Sequence, residues 1–348
     1  MDNLKVGWTS PSNIALVKYW GKRPVQLPSN PSISFTLEKS NSAMKISAWP
    51  SHSKSLSVDF YFEGELNEKF KVKIVKFLET EMERFPWLLD YHLDIHSENT
   101  FPHSSGIASS ASSMSALNLC MMSLDEKITG HKFTKEDFLK EASDLSRKAS
   151  GSAGRSVYPF LASWGESDAI RESSNYFATP VDRKEIHEDF QSYCDAILIV
   201  DAGEKSVSSR AGHALMDNHP FAEERFKRAN HNLSRLLQAM KSGAMNTFIE
   251  VVEEEALMLH ALMMTSTPSY ILLKPTSLLL IEKIRDFRAK TSIPVCFTID
   301  AGPNIHLLYP DKFKTQVEAW LLSDVVNSNI VQTIIYDRVG NGPVEIKE

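Results

Sequence analysis

The sequence predicts an α+β protein of two domains, and three observations favour this class. The chain has 348 residues, a length that commonly divides into two domains or two lobes. Short apolar or alternating segments, which are typical of strands, cluster within the first part of the chain. Neither half shows the regular alternation of strand and helix that a doubly wound parallel sheet requires.

The first half is predicted to begin with strands and to continue with helices. Clusters of Pro, Ser and Asn separate four predicted strands, at residues 14–19, 33–37, 43–48 and 56–62. The spacing of apolar residues predicts a helix over 66–85, and a short strand is expected at 93–96. Two further helices are predicted at 107–124 and 135–149, and Thr134 is the expected N-cap of the second.

The second half is predicted to form a separate domain. Polar residues divide two apolar regions near 180–193, so the predicted domains are 1–190 and 191–348. Strands are expected at 196–200, 295–299, 305–308 and 330–337. Helical periodicity predicts helices at 221–240, 245–264 and 278–289, and near 314–322.

Charge and composition argue against several kinds of partner. The formal net charge is −6, the pI is about 6.0 and no Lys/Arg-rich run occurs, so nucleic acid and anionic membranes are not expected partners. No apolar run has the length of a signal peptide or a membrane span. The three cysteines are far apart and form no CxxC pair, so no disulfide framework is expected and a cytoplasmic location fits: Cys120, Cys194 and Cys296.

Two common nucleotide-binding motifs are absent from the sequence. No segment matches the Rossmann GxGxxG fingerprint. The nearest approach to a Walker A motif ends in Gly21-Lys22, but Leu16 stands where the first glycine belongs and Arg23 where Ser or Thr belongs. A nucleotide site must therefore take another form.

Three other clusters are interpreted as structural. His92 and His96 lie on a predicted strand and not on a metal-binding helix, so a partly exposed strand face is favoured. The acidic run 253–255 is interpreted as a solvated helix face. Three methionines are expected to fill the core: Met258, Met263 and Met264.

The first segment that suggests chemistry is FPHSSGIASSASSMSAL, residues 101–117. Pro102 and Gly106 interrupt regular structure, and two serine pairs precede an apolar helix. Small residues at a helix start let the backbone approach an anion closely, so a triphosphate could bind, and serine hydroxyls can ligate Mg²⁺. From these residues alone, a serine-rich cap on a buried helix remains the alternative.

This loop resembles the phosphate loop of the GHMP kinase superfamily, P-x-x-x-G-L-x-S-S-A, with Ile107 in place of Leu. Further segments, in the same order along most of the chain, resemble one branch of that superfamily, the diphosphomevalonate decarboxylases. These segments are SNIALVKYWGKR (12–23), LPSNPSISFTL (27–37), SGSAGRS (150–156), EKSVSSRAGH (204–213) and FTIDAGPNIH (297–306). The sequence departs from the branch at Gly154, which is usually Cys, at His213, usually Met, and at 103–105, usually Thr-Ala-Ala. The His213 departure bears on the substrate pocket.

The resemblance implies a fold, a reaction and a set of ligands. An N-terminal domain of the ribosomal S5 domain 2 type would join a ferredoxin-like C-terminal domain, with the active-site cleft between them. The reaction would be ATP-dependent decarboxylation of mevalonate 5-diphosphate to isopentenyl diphosphate, with ADP, phosphate and CO₂ as co-products. ATP and Mg²⁺ would be required, and a homodimer is implied.

The resemblance also implies roles for four polar residues. Asp300 would orient or deprotonate the tertiary hydroxyl, and Lys18 would stabilise charge on the transferred phosphate. Arg155 would clamp the substrate carboxylate through a bidentate pair, and Asn13 would help to position the phosphate. The residues alone leave open a turn-forming Asp and a surface salt bridge of the Arg.

Other residues are expected to bind substrate or nucleotide. If 18–22 is a strand, Lys18 and Lys22 point to one face and reach one cleft, although an exposed strand face is the alternative. The implied substrate-binding residues are Tyr19, Lys22, Ser150, Gly151, Ser152, Arg155, Ser208 and Arg210. The implied ATP-binding residues are Ser104, Ser105, Gly106, Ala108, Ser109 and Ser110. No metal ligand is assigned.

Two other functions stay open at this point. One is a related activity on another phosphorylation state, as a phosphomevalonate decarboxylase or as a mevalonate 3-kinase that stops after phosphorylation. The other is a non-catalytic ATP-binding module. The retention of Asp300, Lys18 and Arg155 together argues for decarboxylation over simple kinase activity and against a binding module, and it leaves the choice between a mono- and a diphosphorylated substrate open.

Overall fold

The structure, a computed structural model, describes residues 3–101, 107, 109–201, 203, 209–331 and 333–347. The strands are β1 (Leu4–Val17), β2 (Lys22–Arg23), β3 (Leu27–Pro28), β4 (Ser32–Pro50), β5 (Ser57–Phe62), β6 (Glu65–Leu66), β7 (Tyr91–Asn99), β8 (Leu161–Trp164), β9 (Thr179–Pro180), β10 (Tyr193–Ile199), β11 (Cys296–Thr298), β12 (Ile305–Pro310), β13 (Thr333–Arg338) and β14 (Val344–Glu345). The helices are α1 (Glu68–Thr80), α2 (Ser109–Thr129), α3 (Lys135–Ala149), α4 (Glu188–Gln191), α5 (Ser209–Ala214), α6 (Ala222–Ser242), α7 (Met245–Met264), α8 (Pro275–Thr291) and α9 (Lys314–Trp320). Short 3₁₀ segments occupy Pro86–Leu89, Gly151–Val157, Arg183–Glu185 and Asp311–Phe313, and a π-helical turn, Leu321–Val326, follows α9.

Two sheets organise the chain. The first has the strand order β14-β1-β4-β7-β5-β6, with β8 beside β4 and β9 beside β8. Its described pairs are antiparallel except β5–β7, which is parallel. The second sheet, β11-β12-β10-β13, is antiparallel. This arrangement is the predicted α+β class. The boundary between residues 190 and 191 falls within α4 and stays a prediction, since β14 returns to the first sheet.

Two helices have their predicted bounds. α3 covers Lys135–Ala149, and the Thr134 side chain accepts the Asp137 N–H at 3.1 Å, as an N-cap does. α7 covers Met245–Met264, the predicted 245–264. In both segments the apolar residues recur at helical spacing over many turns, which makes periodicity a sufficient guide.

β1 and β4 are longer than the predicted strands because buried serines do not interrupt them. Ser10 and Ser42 are fully buried, but each hydroxyl bonds a serine of α2 at 2.7 Å, Ser115 and Ser112 respectively. A buried hydroxyl that has a partner costs little free energy. The polar residues between 33–37 and 43–48 therefore continue β4 and do not form a turn.

Two predictions about charged faces are wrong. β1 ends at Val17, so residues 18–22 do not alternate along one strand. The run 253–255 is not a solvated face, because Glu253 and Glu255 are buried. Arginines from neighbouring helices pair with both carboxylates, and this pairing allows their burial.

The remaining structural interpretations have mixed outcomes. Met263 fills the core as predicted, but Met264 is 43% exposed at the end of α7. His92 lies on β7, with Nδ1 2.7 Å from the Ser57 hydroxyl. None of the helices within the described ranges combines the length and apolar character needed to cross a bilayer.

An apolar layer joins the two halves and sets the position of the site. Ile14 and Leu16, near the end of β1, belong to one buried cluster with Leu233 of α6 and Val252 of α7. Beside this cluster, Thr298 at the end of β11 donates its hydroxyl to the Ala15 carbonyl at 3.1 Å. The chain segments that follow β1 and β11 are consequently held next to each other.

Candidate active site

A lysine and an aspartate meet where β1 and β11 end. Lys18 Nζ lies 2.7 Å from Asp300 Oδ1. The lysine side chain is only 2% exposed, whereas the aspartate side chain is 29% exposed. Burial lowers the pKa of Lys18, and the Asp300 carboxylate opposes this effect. The pair therefore combines a partly exposed carboxylate with a desolvated ammonium.

Arg155 is the third charged group of the cluster. It lies in the 3₁₀ segment Gly151–Val157 and is buried, so a surface salt bridge is not its role. Its guanidinium donates to the Ser32 hydroxyl and, over 3.4 Å, to Asn13 Oδ1, while Nε has no hydrogen-bond partner among the described residues. Burial lowers its pKa to about 10, so it is a cation at neutral pH.

The three charges act on one another. Asp300 raises the pKa of Arg155, and Arg155 lowers the pKa of Lys18. No carboxylate in the described part of the chain forms an ion pair with Arg155, so this buried cation has spare capacity for an anion. The structure thus brings together the three residues whose convergence the sequence predicts.

Asn13 links β1 to the Arg155 segment. Its amide nitrogen donates to the Ser152 carbonyl at 3.1 Å and to the Ser156 hydroxyl at 2.7 Å, while its oxygen faces Arg155. These three hydrogen bonds all connect Asn13 to the segment 152–156. Asn13 therefore orients the guanidinium.

Aromatic rings form a second part of the site. The His213 ring lies between those of Tyr19 and Trp20, with centroid distances of 4.3 and 4.6 Å. His213 Nδ1 accepts the Gly21 N–H at 3.1 Å. Burial, with the nearby Lys22 charge, lowers the pKa of His213 to about 3, so its ring is neutral at pH 7.

Tyr19 lies against the predicted substrate loop. A Cβ placed on Gly151 would approach Tyr19 Cε1 to 2.6 Å, so only glycine fits this contact without displacement. The Tyr19 hydroxyl is buried and finds no hydrogen-bond partner within the described ranges. A buried donor of this kind is suited to a ligand.

The other predicted binding residues have separate positions. Lys22 Nζ lies 3.0 Å from Gln26 Oε1, on the β2–β3 ribbon. Ser109 and Ser110 begin α2, and the Ser150 hydroxyl donates to the Ser110 hydroxyl over 3.4 Å, which joins the predicted nucleotide and substrate segments. The following predicted residues lie outside the described residues: Ser104, Ser105, Gly106, Ala108 and Ser208. Arg210 is in α5, and its side chain is likewise outside the described part of the structure.

Three residues that no motif indicated also contact this cluster. Glu255 of α7 accepts the Lys18 N–H at 2.9 Å, and Arg225 of α6 donates to the Lys18 carbonyl at 2.8 Å. His260 Nε2 lies 3.1 Å from the Asp300 carbonyl. The helical period offered one signal, because Glu255 is four residues from both Val251 and Leu259 and so shares their buried face.

The fold and the site match known proteins. Residues 10–176 match the family described as "Diphosphomevalonate decarboxylase-like N-terminal domain", and residues 196–339 match "Mevalonate 5-diphosphate decarboxylase C-terminal domain". The diphosphomevalonate decarboxylase of Eremothecium gossypii is 30% identical over 319 residues, which cover 86% of this chain and 76% of that protein. The mevalonate diphosphate decarboxylase of Staphylococcus aureus is 29% identical, with a TM-score of 0.84 and 99% of each chain covered.

A further solved structure, MDDEF in complex with MVAPP, AMPPCP and magnesium, is 27% identical, has a TM-score of 0.84 and covers 100% of both chains. These likenesses, with the two α+β halves described above, define a two-domain enzyme of GHMP kinase-like fold and confirm the predicted fold class. Within that class, the chain belongs to the diphosphomevalonate decarboxylase family. The resemblance found in the sequence is thereby confirmed.

Proposed function

We propose that this chain converts mevalonate 5-diphosphate to isopentenyl diphosphate, with consumption of ATP and release of ADP, phosphate and CO₂. Family membership supports the reaction class. The observation that carries the proposal for this chain is the Lys18–Asp300 contact of 2.7 Å beside the buried cation of Arg155, which forms no ion pair with a carboxylate of the described residues. This constellation offers one group for each difficult step of the reaction.

The chemistry explains why three charges are needed. A tertiary hydroxyl is a poor leaving group, and ATP supplies the phosphoryl group that makes it a good one. Loss of phosphate and of CO₂ then forms the double bond while positive charge develops at the tertiary carbon. Positioning and electrostatic stabilisation are the main contributions that a protein makes to such steps.

The partly exposed Asp300 carboxylate is suited to receive or orient the substrate hydroxyl. Lys18, held against it, places a positive charge where charge builds on the transferred phosphate. Arg155 is suited to bind the substrate carboxylate, since it is buried and its Nε donor has no acceptor among the described residues. Asn13 keeps that guanidinium in place.

The aromatic part of the site is suited to the diphosphate. The Tyr19 hydroxyl is a buried donor and Lys22 is a nearby cation, so both can face an anionic group. Gly151 packs closely against the Tyr19 ring, so the segment 150–152 lies next to this buried hydroxyl donor. Ser208 and Arg210 complete the proposed substrate-binding set.

We also propose ATP and Mg²⁺ as ligands of this chain, bound by the serine loop that includes Ser109 and Ser110. The relative MDDEF binds AMPPCP and magnesium. Mg²⁺ prefers oxygen ligands, and the Ser110 and Ser150 hydroxyls, which lie 3.4 Å apart, are suited to bind it together with phosphate oxygens. Within the described ranges no cluster of three His, Cys, Asp or Glu side chains could hold a metal. Bound Mg²⁺ would neutralise charge on the phosphates.

The test incubates purified protein with ATP, Mg²⁺ and each phospho-form of mevalonate, and measures CO₂ and ADP together. Equal amounts of CO₂ and ADP from the 5-diphosphate alone are the expected result. Preference for the monophosphate would correct the substrate, and ADP without CO₂ would indicate a kinase. Arg155→Lys keeps the charge but removes the bidentate geometry, so it should lose most CO₂ release.

The proposal also covers the cellular location and the oligomeric state of the protein. We propose a cytoplasmic location, supported by three cysteines that are all buried and unpaired: Cys120, Cys194 and Cys296. We propose a homodimer because the family resemblance implies one. Light scattering on the purified protein tests the dimer, and cell fractionation tests the location.

A further inference from the structure

One helix, α7, holds the Lys18–Asp300 pair through the backbone of both residues. Glu255 Oε2 accepts the Lys18 N–H at 2.9 Å. His260 Nε2 lies 3.1 Å from the Asp300 carbonyl and donates to it. Both side chains belong to α7, so a single rigid element touches each member of the pair.

A buried ion pair holds Glu255 itself. Arg225 Nη1 and Nη2 donate to Glu255 Oε1 and Oε2, both at 2.8 Å. The same Nη2 also donates to the Lys18 carbonyl at 2.8 Å, and Asn30 donates to that carbonyl at 2.9 Å. The two polar backbone groups of Lys18 are therefore fixed by side chains from three separate segments.

Burial makes this arrangement an inefficient way to gain stability. Glu255 and Arg225 are 0% and 1% exposed, and removing both charges from water costs about as much as their attraction returns. An apolar pair would serve the packing between α6 and α7 equally well. An apolar pair could not, however, form the hydrogen bonds that Glu255 and Arg225 make with the N–H and the carbonyl of Lys18.

We propose that α7 positions the catalytic pair, with Glu255 setting the place of Lys18 and His260 setting that of Asp300. The inference rests on the proposed function of those two residues. Neither α7 side chain has to touch substrate, so both are positioning residues.

The charges that face Lys18 come from several elements. Asp300 and Glu255 favour its ammonium form, while burial and Arg155 disfavour it. Burial lowers the pKa of His260 to about 4, so its ring is neutral and carries the one proton that Nε2 donates. Removal of the Glu255 charge should therefore favour neutral Lys18.

The first experiment replaces Glu255 by Gln. The expected result is a fall in kcat of about 100-fold with KM changed less than threefold, because a displacement of about 1 Å costs this much in an aligned site. The alkaline limb of the kcat–pH profile should also move to lower pH. Glu250→Gln is the matched control on the same helix, since Glu250 is 65% exposed and pairs with Arg235 at the surface; it should leave both parameters unchanged.

A second variant covers a failure of Glu255→Gln to fold. Glu255→Leu combined with Arg225→Met removes the whole ion pair and leaves no buried charge without a partner. This protein should fold and should still lose kcat, because the Lys18 backbone has lost two partners. A kcat within twofold of wild type in the folded double variant would overturn the inference.

His260 is tested by a pair of substitutions. His260→Gln keeps a donor near the position of Nε2, whereas His260→Leu removes it. We expect a loss of kcat in the Leu variant that the Gln variant largely restores. Equal kcat in wild type, Gln and Leu variants would contradict the role of His260.

Failure of the proposed function would be seen separately, as wild-type protein that releases no CO₂. Crystal structures of the variants would then decide the positioning inference, through the Nζ–Oδ1 distance that is 2.7 Å in the parent chain. A longer distance in Glu255→Gln and His260→Leu supports it. An unchanged distance in both overturns it.

Discussion

Replacement of Asp300 by Asn tests the centre of the proposed site with the smallest change of shape. The amide cannot accept the substrate proton, and it removes the negative charge 2.7 Å from the Lys18 ammonium. We expect kcat to fall by about 10²–10⁴-fold, the usual contribution of a positioned acid–base group, with a modest change in KM.

The same substitution should affect stability in a defined way. Lys18 is 2% exposed, so without Asp300 its ammonium loses its closest counter-charge in a desolvated place. Because the partner carboxylate is 29% exposed, water can replace part of the lost interaction. We therefore expect a loss of about 1–3 kcal/mol of unfolding free energy, less than for a fully buried pair.

The assay measures ADP and CO₂ release at saturating ATP and substrate, and urea unfolding gives the stability. Asp59→Asn is the control, because Asp59 of β5 forms an ion pair of 3.0 Å with Lys71 of α1 and takes no part in the Lys18–Asp300 pair. The double variant Lys18→Met with Asp300→Asn should be no slower than the worse single variant, since residues that act as a unit are not additive. Near-normal turnover of Asp300→Asn would remove this carboxylate from the mechanism.

Three further outcomes are expected. Lys22→Ala should raise KM for the diphosphorylated substrate with little change in kcat, and an unchanged KM would place the diphosphate elsewhere. Gly151→Ala should lose about 1–3 kcal/mol of stability by overpacking, as its Cβ would approach Tyr19 Cε1 to 2.6 Å, and should also raise that KM; unfolding and kinetic assays check both effects. Burial lowers the pKa of His260 from 6.5 to about 4, so the folded protein binds this proton less readily than the unfolded chain does. The free energy of unfolding should therefore be highest above pH 6.5 and should fall by about 3 kcal/mol as the pH drops toward 4. Urea unfolding at pH 7 and pH 4.5 should show a smaller loss in His260→Gln than in wild type, and equal losses would refute the assignment.

Sequence periodicity predicted the long helices well and the strands less well. α3 and α7 have their predicted bounds because their apolar spacing persists over many turns. β4 continues through a polar stretch because Ser42 finds a hydroxyl partner in α2, and such a partner cannot be seen in a local pattern. Local sequence patterns do not reveal which side chains from distant segments will form hydrogen bonds or ion pairs with each other.

The same limit applies to the site. Family motifs indicated Lys18, Arg155 and Asp300, and the structure brings these residues together. The local prediction that a strand would carry Lys18 and Lys22 to one face is wrong, since β1 ends at Val17. The acidic run 253–255 predicts that Glu255 faces solvent, because such runs are usually exposed, but its pairing with Arg225 makes its burial possible.

The return of β14 to the edge of β1 has a consequence for synthesis on the ribosome. β14 pairs with β1 at Trp8 and Thr9, and Gly340 donates its N–H to the Thr36 carbonyl at 2.7 Å. During synthesis, the edge of β1 that β14 covers therefore stays open until residues 344–345 have been translated, and open strand edges are where chains pair wrongly. Proteins released before this late segment appears should be prone to aggregate, even when every residue of the catalytic cluster is already present.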